Sequence, residues 1–398
     1  MKLYRQSSAR LNIRIYVLFT IYSAPFIDLL NGVVGNVFPI GKAARTCMLF
    51  LNLLFAWHHI PESLKRKNVT AFFIISYFMA QTFIIGIMHS GTLVHNLGFG
   101  MKVTLFLSEM ILIMNCVKRR IITYFDIELF WKFSCWFIPL SLIATKTLNV
   151  INVVLYTRAG LYASVNAMSI IFVIQFVLSI YYAENNRIFW GAVLLNIVAA
   201  ALLGTKSPYL FMVAVVLALF IFYSGYRIRL ILLVSVGIAL AYVLLGTLFA
   251  NQMAPLIEYQ KYYLRLVDNT DTLWGYLFSG RNVMLQNAWD SLTGKSLRFV
   301  AIIFGVGHST LSGIEMDFFE ILFSFGAFIA VILYSMILDA FKWKCINKSC
   351  CLFLNLALIC MLVAGTLGGH TFLEAIAGTY SAILIGYKYS AKTSINQV

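Results

Sequence analysis

The sequence predicts an all-α polytopic integral membrane protein of about twelve transmembrane helices, and three observations predict it. Of 398 residues, 61% are apolar and only 11% charged, whereas a soluble domain is roughly half apolar and a quarter charged. Apolar stretches of about 16 to 23 residues recur from end to end, enough at 1.5 Å per residue to cross a hydrocarbon core of about 30 Å. Such stretches are too long and too rarely interrupted for barrel strands, so the spans are helices. The basic residues, finally, gather in alternate connections, as the positive-inside rule requires.

In order, the first span is 12–34. It follows the basic segment Met1 to Arg14, and no A-x-A pattern occurs before Gly41, so it reads as a retained helix rather than a cleaved signal. Spans at 43–60 and 70–88 flank Lys65-Arg66-Lys67, and the span at 102–117 ends on Lys118-Arg119-Arg120. Five more follow at 129–148, 163–182, 188–204, 207–223 and 229–249, then three at 318–340, 350–368 and 371–387. Placing the N-terminus in the cytoplasm collects 19 of the 30 basic residues on that side, with both termini there. The net charge of +15 is thereby explained as topology, and no nucleic-acid partner follows from it.

Ten of the eleven connections are short. The exception, 250–317, divides the chain into an N-terminal membrane bundle (1–249, about nine spans), a large external loop (250–317) and a C-terminal bundle with a cytoplasmic tail (318–398, about three spans). A loop that long is either functional or disordered, and its aromatic residues and apolar periodicity favour the first. Residues 254–267 have helical spacing and carry Tyr259, Tyr262 and Tyr263. A second helix starts at Ser279 or Gly280, with Arg281 in its first turn, the unfavourable end for a cation; that points to an anion nearby. Phe299 to Phe304 is too short to span and suits a buried strand or a re-entrant turn. Three of the 15 acidic residues, Glu315, Asp317 and Glu320, then fall within six positions. No zinc pattern, P-loop or GxGxxG is present, and none of the seven cysteines lies in the loop, so neither a cofactor nor a disulfide framework is expected.

Three external segments stand out: GTKSPY at 204–209, SGRNVMLQNAWD at 279–290 and GVGHSTLSGIEMDFFEILFSFG at 305–326. Gly280-Arg281, Trp289, the Gly305-Val306-Gly307 turn, Glu315-Met316-Asp317 and Gly326 together resemble the shared core of the O-antigen polymerase and ligase superfamily. GTKSPY resembles that family's short Thr-x-Ser/Arg turn, with Lys206 where an arginine is common. The resemblance covers roughly 190–340. It implies a GT-C-like, metal-independent glycosyltransferase of the bacterial inner membrane that uses no cofactor. Polymerase members join oligosaccharide repeat units carried on undecaprenyl diphosphate at the periplasmic face, among membrane lipid, and a polysaccharide chain-length regulator is a partner to consider. Counting back from Gly326, ligases tend to place a histidine where this chain has Glu315, which favours the polymerase branch.

The residue types fit that chemistry. Sugar transfer from a lipid diphosphate needs a base for the acceptor hydroxyl and cations for the departing diphosphate. Glu315 or Asp317 is the candidate base, with Glu320 orienting the site and His308, directly after the glycine turn, as a further candidate. Arg281 is the candidate diphosphate ligand, because its fork pairs phosphate oxygens and keeps its charge. Lys206, Arg265 and Arg158 assist, and Tyr263 offers an aromatic face. Each also has a plainer reading. Glu315 and Asp317 can simply cap the tenth span, Arg281 can pair with Asp290 or Asp271, Lys206 can snorkel, and the tyrosines can anchor at the interface. Asp28, Glu109, His370 and Glu374 are further polar positions in or beside spans, where pairing or function is expected. A ligase transferring glycan to a lipid A-core and a flippase of lipid-linked oligosaccharide are the alternative functions.

Overall fold

The computed structural model describes residues 2–34, 40–88, 93–147, 162, 164–203, 205–222, 281–293, 298–307, 314–345, 348–367 and 369–393. The ninth span (229–249), the 254–267 helix, His308, Arg158, Arg265 and Tyr263 lie outside these residues. Apart from short turns, everything described is helical. In chain order the helices are α1 (Lys2–Val34), α2 (Ile40–His58), α3 (Lys65–Met88), α4 (Leu93–Lys118), α5 (Tyr124–Thr147), α6 (Val165–Asn185), α7 (Phe189–Leu203) and α8 (Lys206–Phe222). They continue with α9 (Arg281–Thr293), α10 (Arg298–Phe304), α11 (Asp317–Phe325), α12 (Ala327–Leu338), α13 (Lys348–Leu367) and α14 (Ala375–Thr393).

Six of them, α1, α3, α4, α5, α6 and α13, are long and apolar enough to cross a membrane. Helices α4, α6 and α14 form the centre: α6 is buried from Ala167 to Ala183 and α14 from Ala375 to Ala391. A helix enclosed on every side needs no amphipathic stripe, which is why α6 reads as an unbroken apolar run. The outer helices instead turn large apolar side chains outward, among them Phe19, Phe50, Ile84 and Leu129. In lipid that exposure carries no hydrophobic penalty.

Ion pairs sort to the two ends of the bundle. At one end Arg14 meets Asp126 at 2.9 Å and Lys67 meets Asp339 at 2.9 Å, beside the Lys118-Arg119-Arg120 turn. At the other, Arg45 meets Asp28 at 2.6 Å, Lys102 meets Glu374 at 3.8 Å, and Arg281 meets Glu315 at 3.0 Å.

Three expectations are corrected. The span expected at 318–340 is two helices, α11 and α12, broken at Gly326, whose φ of 92° no L side chain adopts easily. The span expected from 371 begins at Ala375, because 371–374 is bent to deliver backbone N–H groups elsewhere. Phe299 to Phe304 is no strand but most of helix α10, with Phe299 70% exposed.

Candidate functional site

The site is built on a crossing of two interrupted helices. Helix α10 ends in Gly305-Val306-Gly307, and both glycines have positive φ, 79° and 81°. This segment runs beside the end of α11: Val306 N donates to Phe323 O at 3.0 Å and Gly307 N to Ser324 O at 2.9 Å. The backbones touch, since a Cβ on Gly326 would lie 2.1 Å from Ile303 O and one on Gly305 2.3 Å from Ser324 O. Each helix end also leaves carbonyls without an intrahelical partner. From α3, the Gln81 amide donates to Phe304 O (2.6 Å) and Ser324 O (3.0 Å), and the Tyr77 hydroxyl donates to Phe304 O (2.7 Å). One glutamine thus fastens both interruptions to the bundle. Gly326→Ala is expected to abolish the stable fold, seen as loss of the monodisperse species in detergent, by forcing the crossing apart. Gly98→Ala, where nothing among the described residues lies within 4 Å, is the control and leaves it intact.

The crossing positions two groups of charged side chains. Ala288 and Leu292 of α9 pack with Ala301, Ile314, Met316 and Phe323, which holds α9 over the start of α11. Arg281, in the first turn of α9, thereby reaches Glu315: Nη2 donates to Oε2 at 3.0 Å. The arginine side chain is 13% exposed and the glutamate 45%. Arg281 Nε is buried with no hydrogen-bond partner among the described residues. Glu315 has φ of 55°, an uncommon left-handed conformation for a residue with a Cβ, whose strain is of order 1–2 kcal/mol. Of Asp290 and Asp271, the two partners that the sequence offers for Arg281, Asp290 instead accepts from Gln286 at 3.0 Å and Asp271 lies outside the described residues.

The second group surrounds Asp317, which is fully buried at the N-terminus of α11. Its Oδ2 accepts from the backbone N–H groups of Thr371 and Phe372, and its Oδ1 from His370 Nδ1 at 3.1 Å. Glu320, three residues on and on the same helical face, places Oε2 3.7 Å from the same nitrogen. Sequence reasoning named His370 only as a polar position beside a span; its pairing with Asp317 is 53 residues distant, and the one available signal was two ionisable groups at neighbouring span mouths.

Burial pulls the His370 imidazole down, but the hydrogen bond and charge of Asp317, with the charges of Glu320 and Glu374, outweigh it and set the value at about 9. At neutral pH the ring is therefore a cation with both nitrogens protonated. The sign follows from the raised value: the native chain binds this proton more tightly than the unfolded chain, whose histidine titrates near 6.5. The stabilisation is complete below that pH and is lost as pH rises through about 9, at most about 3 kcal/mol. Between pH 7 and 10 the melting temperature of the wild-type protein is expected to fall further than that of His370→Gln; parallel curves would remove the ion pair from the account.

Of the remaining sequence candidates, Lys206 opens α8, and its side chain lies outside the described residues. The structure thus brings Glu315, two residues before α11, to Arg281, and Asp317 and Glu320, in the first turn of α11, to His370. It offers a guanidinium and an imidazolium, both able to face an anion, and a partly exposed carboxylate able to take a proton. No group of three or more histidine, cysteine or acidic side chains suited to a metal ion occurs among the described residues. In comparisons with known proteins, no family model and no curated protein sequence matches the chain.

Proposed function

We propose that the chain is a surface-polysaccharide polymerase, a GT-C-like glycosyltransferase that joins undecaprenyl-diphosphate-linked oligosaccharide repeat units at the periplasmic face of a bacterial inner membrane. The observation that carries the reading is the convergence of the Arg281–Glu315 pair with the Asp317–His370–Glu320 cluster at the mouth of a broken helix. The twelve spans and the periplasmic placement of 250–317 belong to the same proposal. Asymmetry of basic residues supports them, since the bundle end that holds Arg14, Lys67 and Arg119 is the cytoplasmic one under the positive-inside rule.

In this reading the growing chain on its lipid diphosphate is the donor. The diphosphate competes with Glu315 for Arg281, and exchange of one anion for the other leaves the carboxylate of Glu315 free. An acceptor hydroxyl attacks the anomeric carbon, the bond from that carbon to the diphosphate oxygen breaks, and Glu315 takes the hydroxyl proton. Asp317, with its oxygens already committed to three donors, is a positioning residue rather than the base. It and Glu320 hold the His370 cation, which adds to Arg281 in stabilising charge on the departing diphosphate. Lys206, Arg265, Arg158, His308 and Tyr263 keep their proposed supporting roles in the loop and turn segments.

The test is genetic complementation with Arg281→Ala and Glu315→Gln, reading glycan length on a gel at matched protein level. Single-repeat product supports polymerisation. Long chains accumulating on the lipid carrier would indicate a ligase, and loss of all exported glycan a flippase. Wild-type ladders from both variants would reject the site.

A further inference from the structure

Away from the crossing, the interior of the bundle holds a carboxylate that the proposed reaction does not use. Glu109, in the middle of α4, is 2% exposed. It lines a cavity between α1, α4 and α14, with room for the centre of one water-sized guest, about 10 Å³. The walls are apolar, from Val17, Ile21, Leu112, Ile113 and Ile383, apart from the hydroxyls of Thr20 and Thr379. Thr379 hydrogen-bonds the carboxylate, while Oε2 has no hydrogen-bond partner among the described residues. Thr20 spends its proton on Tyr16 O at 3.0 Å, which leaves its oxygen lone pairs for a guest.

The charges around this carboxylate do not balance. Of the elements packed against α4, α2 supplies Arg45, which lies 2.6 Å from the buried Asp28 of α1. Among the described residues, Glu109 is the one charged side chain in the lining, and neither α3 nor α14 adds another. Among the described residues Arg45 is thus shared between Asp28, which it contacts, and the more distant Glu109, and a carboxylate in such a place without a close counter-charge is strongly unfavourable. We propose that this cavity is a monovalent-cation site, in which Glu109 takes up one positive charge as H⁺ on Oε2 or as Na⁺ held with the two threonine hydroxyls. Helix α14, which forms one wall, begins directly after the 369–374 segment that carries His370. Occupancy of the site thus bears on how α14 seats against α4. The inference stands whether or not the chain transfers sugars.

The experiment measures thermal unfolding of the purified full-length protein in detergent, against pH in potassium buffers and against sodium at fixed pH and ionic strength. A ligand that binds the native state stabilises it by mass action. Wild type should therefore gain folding equilibrium constant by up to about tenfold per unit fall in pH, or per tenfold rise in sodium. The first result identifies the proton and the second sodium. Measured in a His370→Gln background, which removes that residue's own loss of stability as pH rises, Glu109→Gln, a neutral isostere, should lose that dependence while staying folded. Thr379→Val should move it to lower pH or higher sodium, and serves alone if Glu109→Gln fails to fold. Wild-type curves flat in both series, or a dependence unchanged in either variant, would overturn the proposal.

Discussion

Asp317→Ala is expected to cause the largest loss of stability of any substitution among the charged residues of the candidate site, about 4 kcal/mol or more. Two effects combine. The His370 cation loses its nearest counter-charge, and breaking a buried pair on one side typically costs 3–5 kcal/mol. The N–H groups of Thr371 and Phe372, which both point at Oδ2, are left in the interior without an acceptor, at about 1–3 kcal/mol each. These contributions share one carboxylate and do not simply add, yet even the smaller is a large fraction of a typical total of 5–15 kcal/mol. Asp317→Asn keeps an acceptor oxygen and removes the charge, so its loss should be intermediate. In the double variant with His370→Gln the two losses should be less than additive, because the stranded cation is gone. Melting temperatures in detergent check the series. An alanine variant that melts with wild type would show that the carboxylate does not hold the 369–374 segment against α11.

Arg281→Ala is expected to have the largest effect on activity, a fall of roughly 10²–10³-fold, the range seen when one charge-stabilising donor is removed from a transition state. Its fold should survive, since α9 is anchored through Ala288 and Leu292 rather than through the arginine. Arg281→Lys retains the charge but not the planar fork that matches two phosphate oxygens. It should recover part of the rate and remain well below wild type. Quantified repeat-unit ladders at matched protein level separate these outcomes. Near-wild-type elongation by the alanine variant would leave Arg281 as a structural partner of Glu315.

These two residues also show what a linear reading reaches. The helical membrane class was legible because an apolar run of twenty residues is a local property, and α3, α5, α6 and α13 follow their expected spans within about five residues, whereas α4 starts at Leu93, well before its expected start at 102. Arg281 was legible as a cation at the wrong end of a helix, so an anion nearby was expected; that the anion is Glu315 depends on how α9 folds back over α11. The Asp317–His370 pair was out of reach for the same reason, being made by two segments that meet only in the folded bundle. The break at Gly326 was missed because composition on both sides is uniformly apolar. What imposes it is the backbone of 303–307 crossing at contact distance, with Gln81 from α3 taking up the freed carbonyls. Helix α10 was misread because a six-residue apolar run fits strand or helix equally well.

The measurement that tests the central claim most directly is glycan transfer by the purified protein in a lipid bilayer, supplied only with lipid-diphosphate-linked repeat units from its host. Wild type is predicted to convert single repeats into longer lipid-linked chains and to release undecaprenyl diphosphate in equal amount, while Arg281→Ala, folded by its melting curve, does neither. Absence of elongation by the folded wild-type protein, or equal elongation by the alanine variant, would contradict the account.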